Sequence, residues 1–172
     1  GATLEFAGIP MNLMRRGRAG HIVSGHFAKV AAEEAAKYGS AEILATSEPT
    51  GFDRIPDLPS PEAFAGMDYG YICQNNTIYG TEWDYVPQTG KVPLVCDMSS
   101  DILSMPVDVS QYGLIYAGAQ KNMAPAGLTV VILQEKLAGH ELPYTPLMMN
   151  YKIMIEKDSM YNTPPCWCIY ML

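Results

Sequence analysis

The sequence predicts an α/β domain built around a parallel or mixed β-sheet, and three observations support this. Four short apolar runs are separated by turn residues, and runs of this kind are typical of strands that are buried on both faces of a sheet. Helical and extended segments are mixed along the chain, which favours α/β over all-β. The chain has 172 residues, of which 48% are hydrophobic and 17% charged, so it is long enough to bury a sizeable core.

The first part of the chain predicts a helical segment, a turn, a short strand and a second helix: residues 2–14, 17–20, 21–24 and 27–38. Pro10 interrupts the first segment, because proline disfavours a helix interior. In the second predicted helix the acidic Glu33 and Glu34 precede the basic Lys37, an order that is favourable with respect to the helix dipole. Gly39 is placed to end this helix. We therefore expect one interrupted and one regular helix before the main strands.

The rest of the chain predicts a loop, four strands and a final helix. The loop covers residues 47–66, which are rich in proline, glycine and acidic residues. The strands are residues 68–73, 92–97, 112–117 and 128–133. Near the end, Thr163 is placed to cap a helix that has Pro164 in its first position.

Composition excludes several function classes. The net charge of -7 argues against nucleic-acid binding, which normally requires a basic surface. The one basic cluster, Arg15, Arg16 and Arg18, is more typical of a solvated turn than of a phosphate track. No apolar run reaches the roughly 18 residues that a membrane span needs, so we expect no membrane partner.

The cysteines indicate a reducing compartment and no metal site. Cys166 and Cys168 are separated by only one residue. This pair lacks both the two-residue spacer and the second ligand pair of a zinc site. The other two, Cys73 and Cys96, lie in apolar runs, where free cysteine behaves as a small hydrophobe. A cytoplasmic location is the default expectation.

Three polar residues follow predicted strands, where ligands collect in α/β sheets. Asp97 ends an apolar run, Lys121 follows the next run among small residues, and Thr77 follows an earlier one. Taken singly, each has a plain alternative: a turn cap, a surface-loop lysine and a polar turn. Together they match what pyridoxal phosphate requires, because a lysine in a partly desolvated site can form a Schiff base with its aldehyde and a carboxylate can keep its ring nitrogen protonated.

Longer segments carry a resemblance to a known family. The stretch "VCDMSSDILSMPVDVSQYGLIYAGAQKNMAPAGLTVVI", together with "FAGIPMNLM", "YICQNNTIYG" and "YNTPPCWCIYML", resembles the phosphoserine aminotransferases, a class V family of fold-type I pyridoxal-phosphate enzymes. The resemblance implies a three-layer α/β/α sandwich with a mostly parallel central sheet. It also implies that residues 1–172 are part of the cofactor-binding large domain, with an N-terminal segment and a C-terminal small domain lying outside them.

The resemblance assigns four residues to the cofactor ring. Lys121 would carry the cofactor and shuttle the proton, and Asp97 would pair with the pyridine nitrogen. Thr77 would bond the phenolic oxygen, and Phe27 would stack on the ring where the family commonly has tryptophan. Glu5 stands where the family usually has glutamine.

Five further residues match positions that contact the cofactor phosphate. Ala2 and Thr3 match the turn whose backbone N–H groups hold it at a helix N-terminus, and Gln120 matches another contact. Asn162 and Thr163 match residues that reach the cofactor of the partner subunit. The resemblance therefore implies a homodimer with shared sites.

The implied reaction is reversible transamination between phosphoserine with 2-oxoglutarate and 3-phosphooxypyruvate with glutamate, in serine biosynthesis. Family groups that bind substrate phosphate and carboxylate, a His-Arg segment and an arginine, have no counterpart in this chain. Three alternatives stay open: another class V enzyme such as an alanine–glyoxylate aminotransferase, a cysteine desulfurase, and a non-catalytic fragment that only binds cofactor or dimerises. The desulfurase is disfavoured because it needs a mobile reactive cysteine.

Overall fold

A six-stranded sheet forms the centre of the computed structural model, which describes residues 1–172. The eight strands of the chain are β1 Arg18–Val23, β2 Ser40–Thr46, β3 Tyr69–Cys73, β4 Asn75–Asn76, β5 Thr81–Glu82, β6 Leu94–Asp97, β7 Leu114–Gly118 and β8 Thr129–Leu133. The main sheet has the order β2-β1-β3-β6-β7-β8, and β4 and β5 form a separate ribbon. All neighbours in the main sheet are parallel except β7 and β8, which confirms the mostly parallel sheet.

The four helices are α1 Glu5–Leu13, α2 His26–Ala35, α3 Tyr151–Glu156 and α4 Cys166–Met171. A 3-10 turn at Ala2–Leu4 leads directly into α1. The predicted interruption at Pro10 is wrong, because α1 runs through it. Its apolar face, with Phe6, Ile9 and Leu13, is buried in the core, and such packing outweighs the helix-breaking tendency of one proline.

Side chains alternate between the two faces of the sheet. Tyr69 and Tyr71 point to the face that α1 and α2 cover, whereas Ile72 points to the other face. Loops cover that second face, together with a 3-10 turn at Pro61–Phe64, and they enclose the fully buried Trp83. The sheet is thus covered on both sides, as the predicted sandwich requires.

The structure differs from the sequence predictions at several boundaries. Residues 18–20 begin β1 instead of forming a turn, and β2 had no counterpart among the predicted strands. Helix α2 ends at Ala35, earlier than predicted. The predicted cap at Thr163 is wrong, because α4 begins only at Cys166, with Pro165 at the capping position.

None of the helices has the length and apolar character that crossing a membrane requires.

Candidate active site

The candidate site lies where β3, β6 and β7 end side by side. Because these strands are parallel, their carboxyl ends meet at one edge of the sheet, the usual place for a ligand in this fold class. A pocket at this edge is lined by Ala2, Thr3, Phe6, Phe27, Cys73, Asn75, Thr77, Asp97, Ser99, Ser100, Gln120 and Lys121. Seven of the nine residues that the sequence singled out therefore line one pocket.

Asp97 is the last residue of β6 and is only 6% exposed. Its Oδ1 accepts hydrogen bonds from the Ser99 backbone N–H at 2.9 Å and the Ser99 hydroxyl at 2.6 Å. Its Oδ2 accepts one from the Tyr116 hydroxyl at 2.9 Å. No ion pair of the structure includes Asp97, so the donors to this buried carboxylate are all neutral, an arrangement that a cationic ligand group would complement.

Lys121 lies in the turn after β7, and its amine reaches two other residues of the pocket. The Nζ atom donates a hydrogen bond to the Thr77 hydroxyl at 2.7 Å and lies 5.1 Å from the centre of the Phe27 ring. Lys121 is exposed, so Thr77 and Phe27 alone do not remove its amine from water as was expected from the sequence. Amine, hydroxyl and aromatic ring nevertheless converge on one space.

A short ribbon positions Thr77. It follows β4, and the Asn76 side chain holds the two strands together by donating to the Thr81 carbonyl at 3.3 Å and hydroxyl at 3.0 Å. The same amide accepts a hydrogen bond from Ser24 at 3.2 Å. Only glycine fits at residue 25, because a Cβ there would lie 2.4 Å from Asn76 Oδ1. The ribbon is thereby locked against the start of α2, which carries Phe27.

The N-terminal turn before α1 forms another wall. Ala2 and Thr3 lie in this turn, and the first N–H groups of a helix lack partners within the helix. Gln120 folds back toward this wall: a Cβ at Gly118 would lie 2.8 Å from Gln120 Oε1 and 3.1 Å from Ala2 Cβ. The glycine thus allows the β7 turn and the helix N-terminus to approach one another.

Asn162 and Thr163 do not line this pocket. Both are exposed and lie in the segment between α3 and α4. Nothing else in the structure brings them to Asp97 or Lys121, so their assignment to a partner subunit's site stays a prediction.

Several pocket residues were not singled out from the sequence. Ser99 donates two hydrogen bonds to Asp97, and the Ser100 hydroxyl donates one to the Asn75 carbonyl at 3.1 Å. The serine pair after Asp97 was the available signal, because short hydroxyl side chains bond to nearby backbone and side-chain groups. Cys73 also lines the pocket, and burial raises the pKa of its thiol well above the usual value, which leaves it a poor nucleophile.

A larger groove, of about 800 Å³, lies at the opposite, amino-terminal edge of the sheet. Its lining includes Arg15, Arg16 and Lys91, all exposed. Arg18 pairs with Glu42 at 2.8 Å instead. Thr89, a buried polar side chain of its lining, already donates to the Val92 carbonyl at 2.6 Å. The exposure of Arg15 and Arg16 fits the solvated turn expected for this arginine cluster.

Comparison with known proteins gives a consistent result. The family model described as Aminotransferase class-V matches residues 1–172. A phosphoserine aminotransferase of Laribacter hongkongensis is 52% identical over 176 residues, covering 99% of this chain and 48% of the relative.

Two solved structures are similar over nearly the whole chain. Phosphoserine aminotransferase from Bacillus circulans subsp. alkalophilus superposes with a TM-score of 0.90 at 40% identity, covering 99% of this chain and 48% of its own. The PLP-bound enzyme from Trichomonas vaginalis gives 0.88 at 31% identity, covering 99% and 49%. The chain thus spans about half the length of the relatives it matches.

Proposed function

The chain belongs to the class-V aminotransferase family, and we propose that it is the cofactor-binding core of a pyridoxal-phosphate-dependent phosphoserine aminotransferase. The reaction would exchange an amino group between phosphoserine with 2-oxoglutarate and 3-phosphooxypyruvate with glutamate, and so serve serine biosynthesis. Relatives of that name at 52% and 48% identity over 99% of the chain support this choice.

The observation that carries the proposal is the buried Asp97 carboxylate without a cationic partner, beside a pocket that contains an amine. A carboxylate is costly to bury alone, and the protonated nitrogen of a pyridine ring would supply the missing charge. Lys121, Thr77 and Phe27 offer an amine, a hydroxyl and a π-face around the same space. The residues therefore fit this cofactor.

When bound, pyridoxal phosphate supplies an aldehyde that condenses with amines and a ring that accepts the electron pair released at an α-carbon. Lys121 would anchor the aldehyde carbon, and its freed amine would then carry the proton to and from the substrate α-carbon. Asp97 would hold the proton on the ring nitrogen. Thr77 would bond the phenolic oxygen of the ring.

The remaining residues orient the cofactor. Phe27 would stack on the ring face, while the N–H groups of Ala2 and Thr3 and the Gln120 amide would hold the phosphate at the N-terminal turn before α1. Asn162 and Thr163 would reach the phosphate of the other subunit's cofactor in a homodimer. The groups that bind the substrate's own phosphate and carboxylate would lie outside residues 1–172.

We propose a cytoplasmic location, which the four free cysteines support, because reduced thiols are typical of that compartment. The desulfurase alternative is disfavoured further, because three of these cysteines are buried. A different class V aminotransferase and a non-catalytic cofactor binder remain the functions to test against.

The test uses the absorbance of the bound cofactor in the complete gene product. We expect a visible cofactor band that phosphoserine abolishes and 2-oxoglutarate restores, and we expect Lys121→Ala to lack the lysine-bound band. A band that alanine but not phosphoserine abolishes would indicate another class V enzyme. A band that no amino acid changes would indicate a binder without turnover, and no band with added cofactor would refute the binding proposal itself.

A further inference from the structure

A chain of buried hydroxyl groups runs from Asp97 into the core. Tyr116 donates to Asp97 Oδ2 at 2.9 Å, and the Tyr116 and Tyr71 hydroxyl oxygens lie 2.7 Å apart. Both tyrosines are at most 1% exposed. They stand on β7 and β3, the two neighbours of the strand β6 that ends in Asp97, so their side chains meet on the same face of the sheet.

The number of available protons decides which hydroxyl group is the donor in each of these hydrogen bonds. A tyrosine hydroxyl has one proton, and Tyr116 uses it for Asp97, so Tyr71 must be the donor to the Tyr116 oxygen. Burial raises the pKa of both hydroxyls well above the usual value, so both keep their protons at neutral pH. Each donor therefore points toward the carboxylate.

His21 lies at the inner end of this series of hydrogen-bonded hydroxyl groups. Its ring stacks on Tyr71 with centres 5.0 Å apart, and neither ring nitrogen has a hydrogen-bond partner. Burial lowers the pKa of His21 to about 3, so the ring is neutral. The inner end thus contributes no positive charge that would compete with the cofactor for Asp97.

Other ionisable groups face Asp97 from the neighbouring elements. Cys73 lies beside it on β3 and, with its pKa raised by burial, remains a neutral thiol. Asp101 lies in the turn after β6, and burial raises its pKa to about 7. Lys121 lines the same pocket from the turn after β7. Asp101 therefore changes charge near neutrality.

We propose that Tyr116, supported by Tyr71, is a positioning residue that fixes the Asp97 carboxylate for the cofactor's ring nitrogen. Ser99 donates hydrogen bonds to Oδ1 and Tyr116 donates one to Oδ2. Because both carboxylate oxygens are hydrogen-bonded, the carboxylate cannot rotate freely. The inference rests on the proposed function, because it assigns these tyrosines a role toward pyridoxal phosphate.

The test compares Tyr116→Phe, Tyr71→Phe and the double variant in the complete gene product. Tyr69→Phe is the matched control, because Tyr69 is equally buried on β3 and on the same face of the sheet but has no hydrogen bond to this chain. The readouts are the dissociation constant of pyridoxal phosphate, the pH dependence of the bound cofactor's absorbance, and kcat and KM for phosphoserine.

We expect Tyr116→Phe to weaken cofactor binding about tenfold, the loss typical of a hydrogen bond to a charged group. It should shift the pH midpoint of the cofactor band and lower kcat by a similar factor, with KM changed less than about twofold. Tyr71→Phe should weaken binding by about threefold, because it acts only through Tyr116. The double variant should match Tyr116→Phe alone, and Tyr69→Phe should resemble the unaltered protein.

Four results would overturn the proposal. Tyr116→Phe could behave like Tyr69→Phe, or the two single effects could multiply in the double variant, which would show that Tyr71 does not act through Tyr116. If Tyr116→Phe does not fold, Tyr71→Phe decides alone, and its agreement with Tyr69→Phe refutes the proposal. If the unaltered protein binds no cofactor, both proposals fail. If it binds through Lys121 while Tyr116→Phe changes nothing, only this one fails.

Discussion

His21 makes the stability of the protein sensitive to acid, and His21→Phe should remove that sensitivity. The imidazole is 1% exposed and has no hydrogen-bond partner. Burial lowers its pKa from 6.5 to about 3. Between these two values the unfolded chain binds a proton that the folded chain does not, so the stabilising contribution present above pH 6.5 is lost as the pH falls.

The magnitude follows from the size of the pH interval. Each pH unit below the unfolded pKa costs about 1.4 kcal/mol for one proton. Lowering the pH from about 8 to about 5.5 should therefore cost the unaltered protein about 1.4 kcal/mol more than His21→Phe. This range stays above the sequence pI of 4.8, where association would interfere.

The assay is urea unfolding of the cofactor-free protein at both pH values. At a single pH, the difference in unfolding free energy between His21→Phe and the unaltered protein includes both the loss of the ring nitrogens and the larger size of the phenyl ring. Only the change of this difference with pH reports on the titration of His21. Tyr69→Phe serves as the control, because this ring packs against His21 with centres 5.9 Å apart and does not titrate in the interval. An equal stability difference at both pH values would refute the reasoning.

Two further predictions concern residues near the site. Burial raises the pKa of Asp101 to about 7, so the folded state holds a proton that the unfolded state releases, and stability should fall as pH rises from about 4 to 7. Asp101→Asn should gain about 1 kcal/mol over the unaltered protein between pH 5.5 and 8, allowing for solvent screening; a constant difference in urea unfolding would contradict this. Gly25→Ala should lose about 1–3 kcal/mol because its Cβ would lie 2.4 Å from Asn76 Oδ1, whereas Gly17→Ala adds a Cβ with no atom within 4 Å and meets only backbone strain. An unchanged midpoint of thermal unfolding in Gly25→Ala would show that the Asn76 contact is unimportant.

The strands at the centre of the sheet were predictable because they are buried on both faces. All residues of β3, β6 and β7 are buried, and such runs stand out in the sequence. Strand β2 lies at the sheet edge with a mixed burial pattern, so its sequence gives a weaker signal. Helix α1 continues through Pro10 because of tertiary packing, which local propensity does not contain.

The site was predictable only in part from residue patterns. Spacing indicated Asp97, Lys121 and Thr77, because each follows a strand. The assignments of Phe27 and Gln120 came from the family resemblance. Tyr116, by contrast, reads as an ordinary buried strand residue, and its contact with Asp97 becomes visible only once the register of β6 against β7 is known.

The central claim is that Lys121 anchors pyridoxal phosphate beside Asp97. The most direct measurement is borohydride reduction of the cofactor-loaded gene product, followed by proteolysis and mass spectrometry. The account predicts that the mass of the reduced cofactor is found on the peptide containing Lys121 and is absent from that peptide in Lys121→Ala. Attachment to another lysine, or no attachment to a protein that is demonstrably folded and loaded, would contradict it.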